Sequence, residues 1–73
     1  MDQRPTWLPE TWLSPDGEPV GCHDKLAVLR DNLDELRDMA QDALEDAVVM
    51  GCDEQQMRKV LADLVATLDK PFA

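Results

Sequence analysis

The longest stretch without proline or glycine decides the fold, and it reads CHDKLAVLRDNLDELRDMAQDALEDAVVM over residues 22–50. Apolar side chains recur along it in alternating steps of three and four residues, which is the a/d pattern of a heptad repeat. These positions are Leu26, Leu29, Leu33, Leu36, Ala40, Ala43, Ala47 and Met50. The unbroken pattern predicts one long α-helix, with Asp24 at its positive end and Gly51 directly after its last residue.

A second, shorter amphipathic helix is predicted to follow. Asp53 has Gln56 three residues later, which is the capping-box pattern of a helix start. The apolar side chains after it keep helical spacing, at Met57, Val60, Leu61, Leu64, Val65 and Leu68. Lys70-Pro71 is expected to end this helix. We therefore predict an all-α fold, an antiparallel two-helix hairpin with a long helix at about 22–50 and a short helix at about 54–69. Dimerisation or partner binding would complete it into a bundle.

The first 21 residues differ sharply from the rest of the chain. Four of the five prolines lie there, spaced every four to six residues, and this spacing excludes a long helix. Ser14-Pro15-Asp16-Gly17 has the residue order of a type I turn. We predict an extended, proline- and tryptophan-rich arm over residues 1–21 and a helical hairpin over residues 22–73.

The arm contains two tryptophan–leucine pairs, Trp7-Leu8 and Trp12-Leu13, in a repeated Thr-Trp-Leu motif. Tryptophan is common in binding hot spots because a large ring packs with little entropy to lose. The neighbouring prolines also lower the entropic cost of ordering the arm. Two interpretations fit equally well: the arm covers its own hairpin, or it anchors in a groove of another protein.

The predicted helices have unequal lengths. At about 1.5 Å per residue the first is roughly 42 Å long and the second roughly 22 Å, so the second reaches back only to about Leu36. Leu26, Leu29 and Leu33 then have no partner from the second helix, and leaving them in water forgoes about 1.5–3 kcal/mol each. The arm, a second copy of the chain or a different protein could cover this leucine seam, and the sequence leaves all three open.

The outer face of the long helix is acidic. Its b, c and f positions carry Asp31, Asp34, Glu35, Asp38, Asp42 and Glu45. A calcium loop is excluded because its central glycine is absent, and a di-metal carboxylate site is excluded because no Glu-x-x-His pair occurs. Two interpretations remain, a solvated helix face and a row of carboxylates that imitates nucleic-acid phosphates toward a basic site.

The two cysteines lie at opposite ends of the predicted long helix. A continuous helix would separate Cys22 from Cys52 by about 45 Å, whereas a disulfide needs Cα atoms within about 7 Å. We therefore expect no bridge within the chain, and cysteines that are buried or placed at helix caps. Cys22 beside His23 at a helix start is a weak candidate for a reactive thiol. Two thiols and one imidazole cannot complete a four-ligand zinc site, so we predict no metal and no cofactor.

Composition narrows the class of protein further. The chain has 73 residues, 16 acidic and 7 basic side chains, a net charge of -9 and a hydrophobic fraction of 44%. A disordered acidic tail is excluded by the hydrophobic fraction, and a phosphate-backbone binder by the scarcity of lysine and arginine. No apolar run approaches the roughly 20 residues of a membrane span. The start, Met1-Asp2-Gln3-Arg4-Pro5, lacks the features of a secretory signal, which predicts a cytoplasmic protein.

These observations predict a non-enzymatic protein–protein interaction module. In its most concrete form this is a small accessory or adaptor subunit of a larger cytoplasmic complex of bacterial type. Its contacts would be the tryptophan–leucine arm and the leucine seam, toward a protein partner or a second copy. We expect no catalytic residues, no small-molecule substrate, no direct nucleic-acid binding and no membrane span. The alternatives are an acidic inhibitor or nucleic-acid mimic that blocks a basic site, and a thiol redox sensor.

Overall fold

The computed structural model describes residues 5–72 and consists of two α-helices, α1 (His23–Val49) and α2 (Glu54–Ala66), with no β-strand in that range. This confirms the predicted all-α helical hairpin. The first four residues of the predicted arm, including most of the start examined for a signal, lie outside the described residues. So does residue 73 at the end of the predicted hairpin.

The chain divides into two compact units, the first ending at Arg30 and the second beginning at Asp31. The first unit contains the arm and the beginning of α1. The second contains the rest of α1, the connection and α2. Each unit is described separately below.

In the first unit, the arm is organised around a tight turn. The backbone N–H of Gly17 donates to the carbonyl of Ser14 at 2.9 Å, as the predicted type I turn requires, and Gly17 has a φ of 86°. The turn brings Leu13 and Pro19 together in an isolated antiparallel bridge. The N–H of Val20 donates to the carbonyl of Trp12 at 2.8 Å on the far side of this bridge. The segment is therefore a closed loop with its own backbone hydrogen bonds.

In the second unit, α1 ends at a Schellman motif. The N–H of Gly51 donates to the carbonyl of Val48 at 3.0 Å, and the N–H of Cys52 donates to the carbonyl of Ala47 at 2.8 Å. Gly51 has a φ of 96°, a left-handed conformation that glycine adopts without steric cost. The predicted place of this glycine directly after the helix is confirmed.

The start of α2 agrees with the prediction, whereas its last residue does not. The carboxylate of Asp53 accepts a hydrogen bond from the N–H of Gln56 at 2.8 Å, which caps the first turn. The predicted end near residue 69 is wrong, since the helix stops at Ala66. The hydroxyl of Thr67 donates to the carbonyl of Leu64 at 3.1 Å, and the N–H of Thr67 donates to the carbonyl of Asp63 at 3.0 Å. These bonds satisfy the last carbonyls three residues before Lys70-Pro71.

The core of the second unit is small. Leu44 and Ala47 of α1 are its buried residues, and each has 8% of its surface exposed. Ala40, Ala43, Met57 and Leu61 are half-buried around them. No residue of α2 is buried. A 13-residue helix is marginal in water without packing, so this thin contact with α1 carries most of what stabilises α2.

Candidate protein interface

The predicted anchor residues of the arm fall into two groups. Leu8 and Trp12 are half-buried, whereas Trp7 is 39% exposed and Leu13 is 60% exposed. The turn explains the difference between the neighbours Trp12 and Leu13. Both flank the hydrogen-bonded loop in extended backbone, where successive side chains point to opposite sides. Trp12 and Leu13 therefore cannot both be buried against the same surface.

The leucine seam is half-buried along its whole length, at Leu26, Leu29 and Leu33. Leu26 and Leu29 belong to the same compact unit as the arm, and Leu33 belongs to the second unit. Of the three coverings that the sequence left open for Leu26 and Leu29, this placement favours the arm. The seam is consequently less open than the unequal helix lengths alone predict.

Most of the exposed large apolar side chains lie in the second unit, where sequence reasoning placed only Leu33 of the seam and the acidic face. Several large side chains of the hairpin keep about half or more of their surface exposed, namely Leu36, Met39, Val48, Val49, Met50, Val60, Leu64, Val65 and Leu68. The sequence did carry a signal. The apolar stripe of α2 is wider than a single partner helix can cover, so part of it must face away from α1.

The predicted acidic face consists of exposed residues throughout: Asp31, Asp34, Glu35, Asp38, Asp42 and Glu45. Glu45 accepts a hydrogen bond from the side chain of Gln41 at 3.2 Å. Between residues 5 and 72, no three or more histidine, cysteine or acidic side chains are arranged to hold a metal ion. The face is a row of exposed carboxylates on one side of α1.

Both cysteines are free and exposed, and each lies beside an end of α1. The carbonyl of Cys22 accepts a hydrogen bond from the N–H of Leu26 at 3.0 Å, so Cys22 begins the helix. Cys52 belongs to the Schellman motif. The sequence predicts cysteines that are buried or placed at helix caps. Both cysteines lie at helix ends, and neither is buried.

A shallow surface depression lies along one side of the hairpin. It is lined by Gln41, Leu44, Glu45, Val48, Val49, Glu54 and Arg58. Its α2 wall is an exposed ion pair in which the guanidinium of Arg58 donates to the carboxylate of Glu54 at 3.0 Å. The lining thus combines a few apolar side chains with charges of both signs.

Neither helix of the described part combines the length and hydropathy of a membrane span. Comparison with protein-family models, with curated proteins and with solved structures finds no match.

Proposed function

We propose that the protein is a non-enzymatic protein–protein interaction module, and specifically a small accessory or adaptor subunit of a larger cytoplasmic complex of bacterial type. The observation that carries this proposal is the mismatch between core and surface in the hairpin. Two buried residues, Leu44 and Ala47, hold the helices together while larger side chains such as Met39 and Leu64 stay 71% and 56% exposed. Exposed apolar patches of this kind mark interaction surfaces.

The arm supplies the first contact in this proposal. Trp7 and Leu13 are its exposed apolar side chains, and they are presented by a segment whose turn is already hydrogen-bonded. Such a segment loses little conformational entropy when a partner docks on it. Leu8 and Trp12, which are half-buried, serve to hold the arm in place.

The proposal is tested by purifying a tagged full-length chain from its own cells and identifying what co-purifies. We expect a companion protein in stoichiometric amount, and its loss from a variant carrying both Trp7→Ala and Leu13→Ala. Thr11→Ala is the matched control because Thr11 is exposed on the same arm and carries no large apolar group. A companion that is retained equally by the arm variant would contradict the role of the arm. Absence of any stoichiometric companion would contradict the module itself.

A second candidate function, an acidic inhibitor or nucleic-acid mimic, is supported by the exposure of all six carboxylates of the acidic face on α1. In this case the partner is a basic protein. Changing Asp34, Asp38 and Asp42 to Asn would release it, whereas Trp7→Ala with Leu13→Ala would leave it bound. Binding would also fall steeply between about 50 mM and about 500 mM salt, because exposed charges are screened.

A further inference from the structure

The hairpin has a second long side, opposite the shallow depression. In α1 the depression is lined by Gln41, Leu44 and Val48, and in α2 by Glu54 and Arg58. The buried residues Leu44 and Ala47 mark where α1 touches α2.

Successive residues of an α-helix are rotated by about 100° around its axis. This rotation places a second set of residues on the side of the hairpin that lies across the helix contact from the depression. They are Leu36, Met39 and Ala43 of α1 with Val60 and Leu64 of α2, here called the apolar face.

The apolar face is open to solvent. Leu36 is 54% exposed, Met39 71%, Val60 50% and Leu64 56%, while Ala43 is half-buried between the two helices. Ala43 carries a small side chain, with Met39 on the α1 side and Leu64 on the α2 side. Exposed apolar patches of this kind are often functional on a small protein.

The rim of the apolar face is acidic. Glu35, Asp42 and Asp46 border it on α1, and Asp63 borders it on α2. Between residues 31 and 72 the chain has eleven acidic and four basic side chains, a net charge of −7.

The basic side chains of α2 are already paired. The ammonium group of Lys59 lies 2.6 Å from the carboxylate of Asp63, and Arg58 pairs with Glu54 beside the depression. The negative border therefore runs along the α1 edge of the apolar face, whereas on α2 the charge of Asp63 is balanced by Lys59.

We propose that the apolar face binds an amphipathic helix of a protein partner, one whose apolar stripe is flanked by lysine or arginine. An apolar helix face laid over Ala43 would cover Met39, Val60 and Leu64, and a basic flank would meet the acidic residues on the α1 edge. Complementary charges of this kind fix the orientation of the helix and speed its association. The inference rests on the proposed function and gives the chemistry of a second contact, separate from the arm.

A second copy of the chain fits this face less well. Pairing would bring together two units that each carry a net charge of −7, and like charges oppose each other across such an interface. The face consists of five residues, whereas a standard stable interface has about 20–30 residues per partner. A single helix requires less area and brings the opposite charge.

The test measures binding of synthetic helical peptides to the full-length protein by fluorescence anisotropy. The probe is a labelled peptide of about four helical turns with leucine on one face and lysine on the flanks. One control peptide replaces lysine by glutamate. The other has the lysine–leucine composition in a scrambled order that destroys the amphipathic stripe. We expect the lysine peptide to bind at least about tenfold more tightly than either control.

Matched variants of the protein place the binding on the face. Leu64→Ser should weaken binding of the lysine peptide by about tenfold, and Val65→Ser should change it less than about twofold. Val65 is the control because it is the next residue of α2, is 55% exposed and turns toward the other side of the hairpin. Asp46→Asn should weaken binding more than Asp38→Asn, since Asp38 lies on the outer side of α1. Circular dichroism of each variant establishes that its helices are intact.

Three results would overturn the inference: equal binding of the scrambled peptide, equal losses from Leu64→Ser and Val65→Ser, or a dimer in solution that Leu64→Ser dissociates. None of these would affect capture of a companion through Trp7 and Leu13, so the inference can fail while the proposed function stands. The opposite outcome is also distinguishable. In that case no companion is captured through Trp7 and Leu13, yet the lysine peptide still binds the apolar face.

Discussion

The two units shield their apolar side chains by different means. The unit ending at Arg30 combines a short segment closed by the turn at Gly17 with the start of α1, and there Trp12, Leu26 and Leu29 are half-buried. In the unit beginning at Asp31, two longer helical segments bury only Leu44 and Ala47. In one unit several apolar side chains are thus half-covered beside a short loop, whereas in the other two regular helices leave most of their large apolar side chains exposed. A pair of helices has two open sides, and something outside the pair must cover them.

The comparison is tested most severely by Leu44→Ala. Leu44 is the large buried side chain of the hairpin, so we expect a loss of about 2–3 kcal/mol in the free energy of unfolding. In so small a domain this approaches the whole stability, and the helical circular dichroism signal should melt well below that of the wild type. Leu64→Ala, on the exposed apolar face, is the control and should cost well under half as much. Equal losses would mean that α1 and α2 do not pack through Leu44.

The arm provides the corresponding test in the first unit. Trp12→Ala removes a half-buried ring and should cost about 1–2 kcal/mol of local stability. Amide hydrogen exchange near Leu26 and Leu29 should accelerate, since the arm and these leucines share one compact unit. Leu13→Ala is the control at a 60% exposed neighbour and should leave exchange there unchanged. Unchanged exchange in Trp12→Ala would show that the arm does not protect the start of α1.

Gly51→Ala tests the connection between the helices. The φ of 96° at this position disfavours a side chain, so we expect a loss of about 1–2 kcal/mol in urea denaturation even though open space surrounds the added methyl group. Gly21→Ala is the matched control, because Gly21 also has open space and lacks a positive φ. A stability for Gly51→Ala equal to that of Gly21→Ala would rule out the left-handed cap.

Replacing the capping residue of α2 should lower the stability by a smaller amount. Asp53→Ala removes the carboxylate that accepts the N–H of Gln56, for an expected loss of about 1 kcal/mol. Asp38→Ala deletes an exposed carboxylate from the middle of α1 and serves as the control for the change in net charge. Thermal melts of both variants check the difference, and identical melting temperatures would refute the cap.

The smallest expected effect belongs to the thiols. Cys22→Ser should leave stability and partner capture unchanged, because Cys22 is exposed and its backbone carbonyl makes the first helical hydrogen bond. Loss of capture in Cys22→Ser under reducing conditions would instead favour the thiol sensor considered from the sequence.

Much of the fold is predictable from the sequence because its signals are local. The heptad spacing of α1, the glycine after it and the Asp53 cap each act within one or two helical turns, and the structure agrees with each of them. The sequence predicts too late an end for α2, because Lys70-Pro71 marks only where a helix can no longer continue. The helix ends at Ala66, with Thr67 as its C-cap and the Thr67 hydroxyl donating to the carbonyl of Leu64.

The candidate site was harder to predict, since exposure depends on contacts between elements. Periodicity correctly selected Met57, Leu61 and Leu64 as one apolar stripe but could not say that the first two are half-buried and Leu64 exposed. The bridge between Leu13 and Pro19 was likewise beyond a pattern search, because it depends on how the turn at Gly17 closes. That turn decides which tryptophan–leucine side chains stay available to a partner.

The most direct test of the central claim is affinity purification from the source cells with four baits. They are the wild type, the double variant Trp7→Ala with Leu13→Ala, the double variant Met39→Ser with Leu64→Ser, and Val65→Ser. We predict one stoichiometric companion with the wild type and with Val65→Ser, and its loss or marked depletion with both double variants. The same companion at the same stoichiometry with all four baits would contradict the claim that these exposed apolar side chains are the binding surface.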